Sequence, residues 1–152
     1  DCIDLREVVI PEGVTRIGYR AFDGCTGLRR IVIPSTITTI DEEAFRDCTS
    51  LCEVVISEGV RSIGFRAFGD CINLCEIVIP EGVTIIGEEA FRDCTNLRKI
   101  VLPSSITEIG CDVFLGCTSL HKIVIPESVT SIGRTAFSGC TGELIINSKI
   151  IK

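Results

Sequence analysis

Cysteine carries the strongest chemical signal in this chain, with ten in 152 residues. Seven of them, Cys2, Cys25, Cys48, Cys71, Cys94, Cys117 and Cys140, stand 23 residues apart, and Cys52, Cys75 and Cys111 fall outside that series. Such density invites a disulfide framework, a metal site or a set of buried thiols. Cys48 and Cys52 are four residues apart, as are Cys71 and Cys75, a spacing that zinc sites also use. Asp47, Asp70 and Asp93 recur at the same 23-residue interval, and calcium takes oxygen ligands of that kind. Catalytic groups are scarcer. The one histidine, His121, sits between Leu120 and Lys122, and no Ser or Cys nucleophile has an evident base beside it. No Gly-rich loop precedes a long helical pattern, so no nucleotide site is implied. The carboxylate pairs Glu42/Glu43 and Glu88/Glu89 recur with the interval and lack the converging partners that acid–base catalysis requires. The chain is expected to be no enzyme and to need no cofactor or metal.

The same interval governs the rest of the chain. Phe22, Phe45, Phe68, Phe91, Phe114 and Phe137 are 23 apart, and Leu5, Leu28, Leu51, Leu74, Leu97 and Leu120 follow the cysteines at a fixed distance. Pro11, Pro34, Pro80, Pro103 and Pro126 keep the register, with Ser57 as the exception. Self-similarity on this scale marks a repeat architecture, here of about six and a half copies forming one domain over residues 1–152.

One copy, Leu28 to Ser50, can be read physically. Ile31-Val32-Ile33 is β-branched and bounded by Pro34, so it predicts a short strand. Pro34 stops it, having no N–H to donate. Ile37 and Ile40 turn inward. Asp41 shares a column with Gly18, Gly64, Gly87, Gly110 and Gly133, which suggests a positive φ there. Asp47 shares one with Gly24, Asp70, Asp93, Gly116 and Gly139 and suggests another turn position. Ala44, Phe45 and Cys48 fall on one face of a single helical turn.

Such a unit cannot bury its own apolar residues, but stacked copies bury each other's, with parallel strands at ~4.8 Å per rung. Stacking decides the cysteine question. The seven periodic thiols become each other's neighbours and point the same way, with Cβ atoms near ~4.8 Å rather than the usual ~3.5–4.5 Å of a bridge. They are expected to be buried free thiols acting as small hydrophobes. An in-register column gives zinc no convergence of ligands. Cys52 and Cys75 share the column after the leucine, with Arg29, Arg98 and His121. They are expected partly exposed on adjacent rungs, where an oxidising compartment could join them. Cys111 lies in an outward column with Tyr19, Glu42, Phe65, Glu88 and Arg134. For the Asp47 column, turn chemistry is a better reading than calcium, because Gly occupies it elsewhere.

The block Cys-Thr-x-Leu-x-x-Ile-Val-Ile-Pro-x-x-Val-Thr-x-Ile-Gly-x-x-Ala-Phe-x-x-Cys, shown with few departures by residues 71–94, resembles the bacterial surface protein A (BspA)-like class of leucine-rich repeats. The resemblance covers nearly the whole chain. It implies a β-rich α/β fold: a right-handed curved solenoid with parallel strands on the concave face and short helical turns on the convex face. It also implies an exported or cell-surface protein that binds partner proteins, and it carries no ligand-binding residue across.

Composition narrows the partners. Net charge is −6, from 15 basic and 21 acidic residues, which argues against nucleic acid, since phosphate binding needs a basic face. Hydrophobic residues make up 45%, too many for a disordered chain. No apolar run approaches the ~18 residues of a membrane-spanning helix. The chain lacks an initiating Met and an obvious polar cap at either end. A longer native protein, or end-to-end self-association, is expected from that.

Strand alternation places the binding surface. With Ile31 and Ile33 inward, Val9, Val32, Val55, Val78, Val101 and Val124 form an outward apolar stripe on the concave face, on the order of several hundred Å². Glu7, Arg30, Glu53, Glu76, Lys99 and Lys122 flank it, and Glu12, Glu58, Glu81 and Glu127 follow the prolines. Glu53, Glu58, Glu76 and Glu81 are read as an acidic patch in the middle rungs, suited to a basic, partly apolar protein. Glu42/Glu43 and Glu88/Glu89 with Arg46 and Arg92 are read as solvated ion pairs of little individual worth. Two rivals to a protein-recognition module stay open. One is a passive spacer, because valine also simply favours strands. The other is a glycan-binding module, for which only Tyr19 and Phe65 would supply exposed rings.

Overall fold

The computed structural model describes residues 2–146. Each repeat forms one coil carrying two short strands. The first strands are β1 (Glu7–Val9), β3 (Arg30–Ile33), β5 (Glu53–Ile56), β7 (Glu76–Val78), β9 (Lys99–Val101), β11 (Lys122–Ile125) and β13 (Glu143–Ile146). The second strands are β2 (Arg16–Ile17), β4 (Thr39–Ile40), β6 (Ser62–Ile63), β8 (Ile85–Ile86), β10 (Glu108–Ile109) and β12 (Ser131–Ile132). All pairing is parallel, and partners are one repeat apart: Arg30 faces Glu53, Ile31 faces Val54, and Val32 faces Val55. The strand expected at Leu144-Ile145-Ile146 is present and pairs with β11. Asn147, read as standing where the proline would be, lies outside the described residues, as does the chain beyond it.

The interior follows the columns. Leu28, Ile31, Ile33, Ile37, Ile40, Phe45 and Cys48 are all essentially inaccessible, and their counterparts in the next coils join them in one continuous core. Six phenylalanine rings, Phe22 to Phe137, stack with centroids 5.2–5.8 Å apart and planes within 14° of parallel. Parallel rings at that separation adopt the offset arrangement that aromatic quadrupoles favour.

The convex face departs from expectation. It has no helix among the described residues; each coil makes consecutive tight turns there instead. In one coil Ala44, Arg46 and Cys48 donate to carbonyls three residues back, while Glu43, Phe45 and Asp47 donate to Phe65, Ala67 and Gly69 of the next coil. Glu43 (φ 55°) and Asp47 (φ 56°) adopt left-handed backbone, which interrupts any right-handed helix. The physical reason is width. An α-helix is ~10 Å across, and turns that share hydrogen bonds between coils can stack at nearly the ~4.8 Å of the strands.

One glycine column also needs correction. The positions of Gly64 and Gly87 do not require positive φ. They require absence of a side chain, because a Cβ on Gly87 would lie 2.5 Å from the Phe65 backbone nitrogen. The Asp47 column does turn through positive φ, at Asp47, Asp70 and Asp93 as at Gly24 and Gly116.

Candidate functional site

Strand alternation sets the concave face. In β3 the burial alternates, with Arg30 and Val32 outward and Ile31 and Ile33 inward. The same holds along the solenoid, so Val9, Val32, Val55, Val78, Val101 and Val124 are all exposed, from 39% to 84%. Their flanking column, Glu7, Arg30, Glu53, Glu76, Lys99 and Lys122, is exposed as well. The structure therefore brings the valines and charges of the expected surface onto one face.

The middle rungs are less uniformly acidic than their residue types suggest. Arg30 reaches Glu53 at 3.0 Å and Glu7 at 3.8 Å. Both carboxylate oxygens of Glu81 are engaged by Ser104, one accepting from its backbone N–H at 3.1 Å and the other from its hydroxyl at 2.9 Å. Glu58 and Glu76 remain exposed without an ion-pair partner among the described residues. Sorting the columns by charge alone missed these pairings, although Arg30 stands one register step from Glu53.

A second feature was invisible in the sequence. The concave sheet runs β1-β3-β5-β7-β9 and stops; β11 pairs only with β13. Between β9 and β11 the face opens into a groove of about 630 Å³, lined by Lys99, Val101, Lys122 and Val124, with Arg98, Glu81 and Ser104 at its rim. Smaller hollows lie over β1 and β3, beside Val9, Arg30 and Val32, and over β5 and β7, beside Val55, Glu76 and Val78.

Of the convex carboxylates, Glu43 and Glu89 join coil to coil rather than forming separate solvated pairs, while Glu42 and Glu88 are exposed with no ion pair among the described residues. Glu43 is buried and joins Arg20 of the preceding coil to Arg46 of its own. Its carboxyl is held below the ordinary range, chiefly by the hydrogen bond from Arg20. Glu89 repeats the arrangement with Arg66 and Arg92. The sequence reading overlooked the contact across coils because Arg20 and Arg66 occupy the position that carries Glu43 and Glu89 elsewhere. Asp47, Asp70 and Asp93 are each paired with an arginine, namely Arg46, Arg66 and Arg92. No cluster of metal-ligating side chains occurs among the described residues.

The cysteines divide as expected, with one addition. All ten are free thiols. In the periodic column, Cys48 donates to the Phe22 carbonyl at 3.1 Å and Cys71 to that of Phe45 at 3.2 Å. Burial pushes the Cys48 thiol up to about 12. These thiols are therefore donors as well as space-fillers. Cys52 and Cys111 are exposed and Cys75 is half-buried. Cys52 turns its thiol to the Arg29 carbonyl and Cys75 to that of Asn73. Of the two rings expected outward, Tyr19 is exposed, with the Arg20 guanidinium 5.1 Å from its centroid. Phe65 is half-buried.

The family model of the BspA-type leucine-rich repeat region matches residues 1–121 in six copies. A leucine-rich repeat protein of Eubacterium ventriosum is similar in structure, with TM-score 0.84 and 28% identity over 97% of this chain and 38% of that one. The leucine-rich repeat protein of T. pallidum gives 0.76 and 32%, over 84% of this chain and 68% of that one. A leucine-rich cell surface protein of Faecalibacterium prausnitzii gives 0.58 and 29%, over 91% and 52%. This chain thus spans well under two thirds of the Eubacterium and Faecalibacterium proteins. No curated protein matches it.

Proposed function

The chain belongs to the BspA-type leucine-rich repeat family, and from that premise we propose that it is a protein-recognition module of an exported or cell-surface protein, binding through its concave face. The observation that carries this reading is the valine column: six apolar side chains on successive strands, every one exposed between charged neighbours. Exposed apolar stripes rimmed by charge are where proteins dock. The surface setting is supported by the Faecalibacterium relative, which is described as a cell surface protein.

The spacer reading draws on one fact, that the column is valine in six successive rungs and so offers little variety for specificity. The glycan reading has lost support, since Phe65 is half-buried and Tyr19 lies on the convex side.

Selection from a displayed random-peptide library on the intact chain tests the proposal. Recognition through the concave face should enrich related peptides whose binding is lost in Val78→Arg/Val101→Arg and kept in the convex variant Glu42→Arg/Glu88→Arg. Enrichment of nothing, or of peptides indifferent to the concave substitutions, would leave the chain a spacer.

A further inference from the structure

We infer that the groove between β9 and β11 is a docking slot for an extended, aliphatic peptide segment bearing carboxylates. The inference rests on the recognition reading above and specifies where and what the module binds.

The slot lies where the concave sheet is interrupted; the second sheet has its own interruption, between β8 and β10. Every other neighbouring pair of concave strands is joined by backbone pairing, but none joins β9 to β11. The same two coils stay closed elsewhere: β10 pairs with β12, Gly133 donates to the Ile109 carbonyl at 2.8 Å, and Phe114 donates to that of Ala136 at 2.8 Å. The facing edges of β9 and β11 consequently keep main-chain groups that no neighbouring strand uses.

Charge and shape select the occupant. Arg98, Lys99 and Lys122 line the groove, while the whole chain carries −6. Glu81 is the one carboxylate at the rim, and Ser104 occupies both of its oxygens. Three cations thus line the opening against one carboxylate in its lining, Glu81, which keeps its charge while accepting from Ser104; Glu76, the register partner of Lys99, lies one strand outside the groove. Val101 and Val124 supply an apolar floor between them. Alternate residues of an extended peptide lie on one side, roughly 6.7 Å apart. Lys99 and Val101 are two residues apart on one strand, as are Lys122 and Val124, so a segment with an acidic and an aliphatic residue two positions apart presents both to the groove from one side. Electrostatic complementarity of this kind raises the encounter rate and fixes register.

Fluorescence anisotropy with fluorescein-labelled peptides of repeating Asp-Ser-Val-Ser, Asn-Ser-Val-Ser and Lys-Ser-Val-Ser (the Asp-Val, Asn-Val and Lys-Val peptides) tests the assignment on the intact chain. The Asp-Val peptide should bind, weaken by about tenfold or more in Lys99→Glu/Lys122→Glu, and weaken with added salt, as charge-driven binding does. Lys99→Gln/Lys122→Gln should give an intermediate loss while leaving the melting temperature unchanged, which separates lost binding from lost folding. Glu53→Lys/Glu76→Lys should retain it. Equal binding of all three peptides, or an Asp-Val affinity untouched by the lysine variants, overturns the assignment. Library peptides that depend on Val55 and Val78 but not on Lys99 and Lys122 would also overturn it while leaving concave recognition standing. Absence of any peptide binding sinks both.

Discussion

The Cys94 thiol donates to the carbonyl oxygen of Phe68, in the preceding coil, across 3.1 Å. That carbonyl already accepts the Cys71 backbone N–H at 3.4 Å, so the thiol takes its second lone pair. Cys117 repeats the contact on Phe91 at 3.1 Å and Cys140 on Phe114 at 3.3 Å. The cysteine column thereby ties each phenylalanine turn to the next coil.

Removing one such donor should be costly. Cys94→Ala deletes both buried volume and a hydrogen bond, and should destabilise the chain by about 1–3 kcal/mol. Cys94→Ser keeps a hydroxyl donor and should cost less. Denaturant titration of the two variants decides: equal losses would mean that the column matters only as filler.

Thiol reactivity should follow the same division. Cys52 and Cys111 are exposed and Cys75 half-buried, whereas Cys25, Cys48, Cys71, Cys94 and Cys117 are buried. Burial holds the Cys71 and Cys94 thiols well above their ordinary ionisation range, and the thiolate is the reactive form. Maleimide labelling of the native chain, mapped by mass spectrometry, should modify Cys52 and Cys111 first and leave those five intact. We further propose that oxidised glutathione joins Cys52 to Cys75, which lie on adjacent strands' leading ends. Two thiols and one glutathione disulfide would give one protein disulfide and two reduced glutathiones. Peptide mapping that finds only separate glutathione adducts would refute the pairing.

Glycine spacing offers a test of how closely the coils stack. A Cβ at Gly87 would meet the Phe65 backbone at 2.5 Å, whereas one at Gly110 would meet only Glu88 Cγ at 3.5 Å. Gly87→Ala should cost about 1–3 kcal/mol through overpacking, and Gly110→Ala much less. Matching thermal shifts would contradict the difference in coil separation at the two positions.

Acid should weaken the convex network. The Arg20 guanidinium, aided by Arg46, holds the Glu43 carboxyl below its ordinary value. The folded state therefore binds that proton less readily than the unfolded chain. Its stabilising contribution is present above the ordinary glutamate value of ~4.3 and is lost as pH falls through the lower folded value. Asp70 acts oppositely, its carboxyl being raised by burial and by Asp47, so that its ionisation costs stability at neutral pH. Melting temperatures followed from neutral to acid pH should decline less steeply in Glu43→Gln. Asp70→Asn should gain stability at neutral pH and little in acid. Curves parallel to the parent's would contradict both assignments.

The residue pattern of Leu28 to Cys48 was enough to place the strand at Ile31-Val32-Ile33, the inward turn of Ile37 and Ile40, and the outward valines. Strand alternation is local, and one copy repeated leaves stacking as the means of burial. The second strand, Thr39–Ile40, was missed because two residues are too few for a period to show. Among the candidate site residues, Val32, Val55, Val78, Val101, Lys99 and Lys122 were legible as an outward face. The engagement of Glu53 by Arg30 and of Glu81 by Ser104 was not, because side chains of 23 residues' separation choose partners only once coils are in contact.

By itself, then, the order of amino acids determined the 23-residue period, the buried columns and the side of the strand that each valine takes. Those depend on chirality, side-chain size and the need to bury apolar surface, which every copy carries within itself. Only the assembled solenoid decided that the convex turns share hydrogen bonds in place of forming helices, and that the concave sheet parts between β9 and β11. Both are settled by the spacing between neighbouring coils, a quantity that belongs to pairs of repeats and is written in neither one alone.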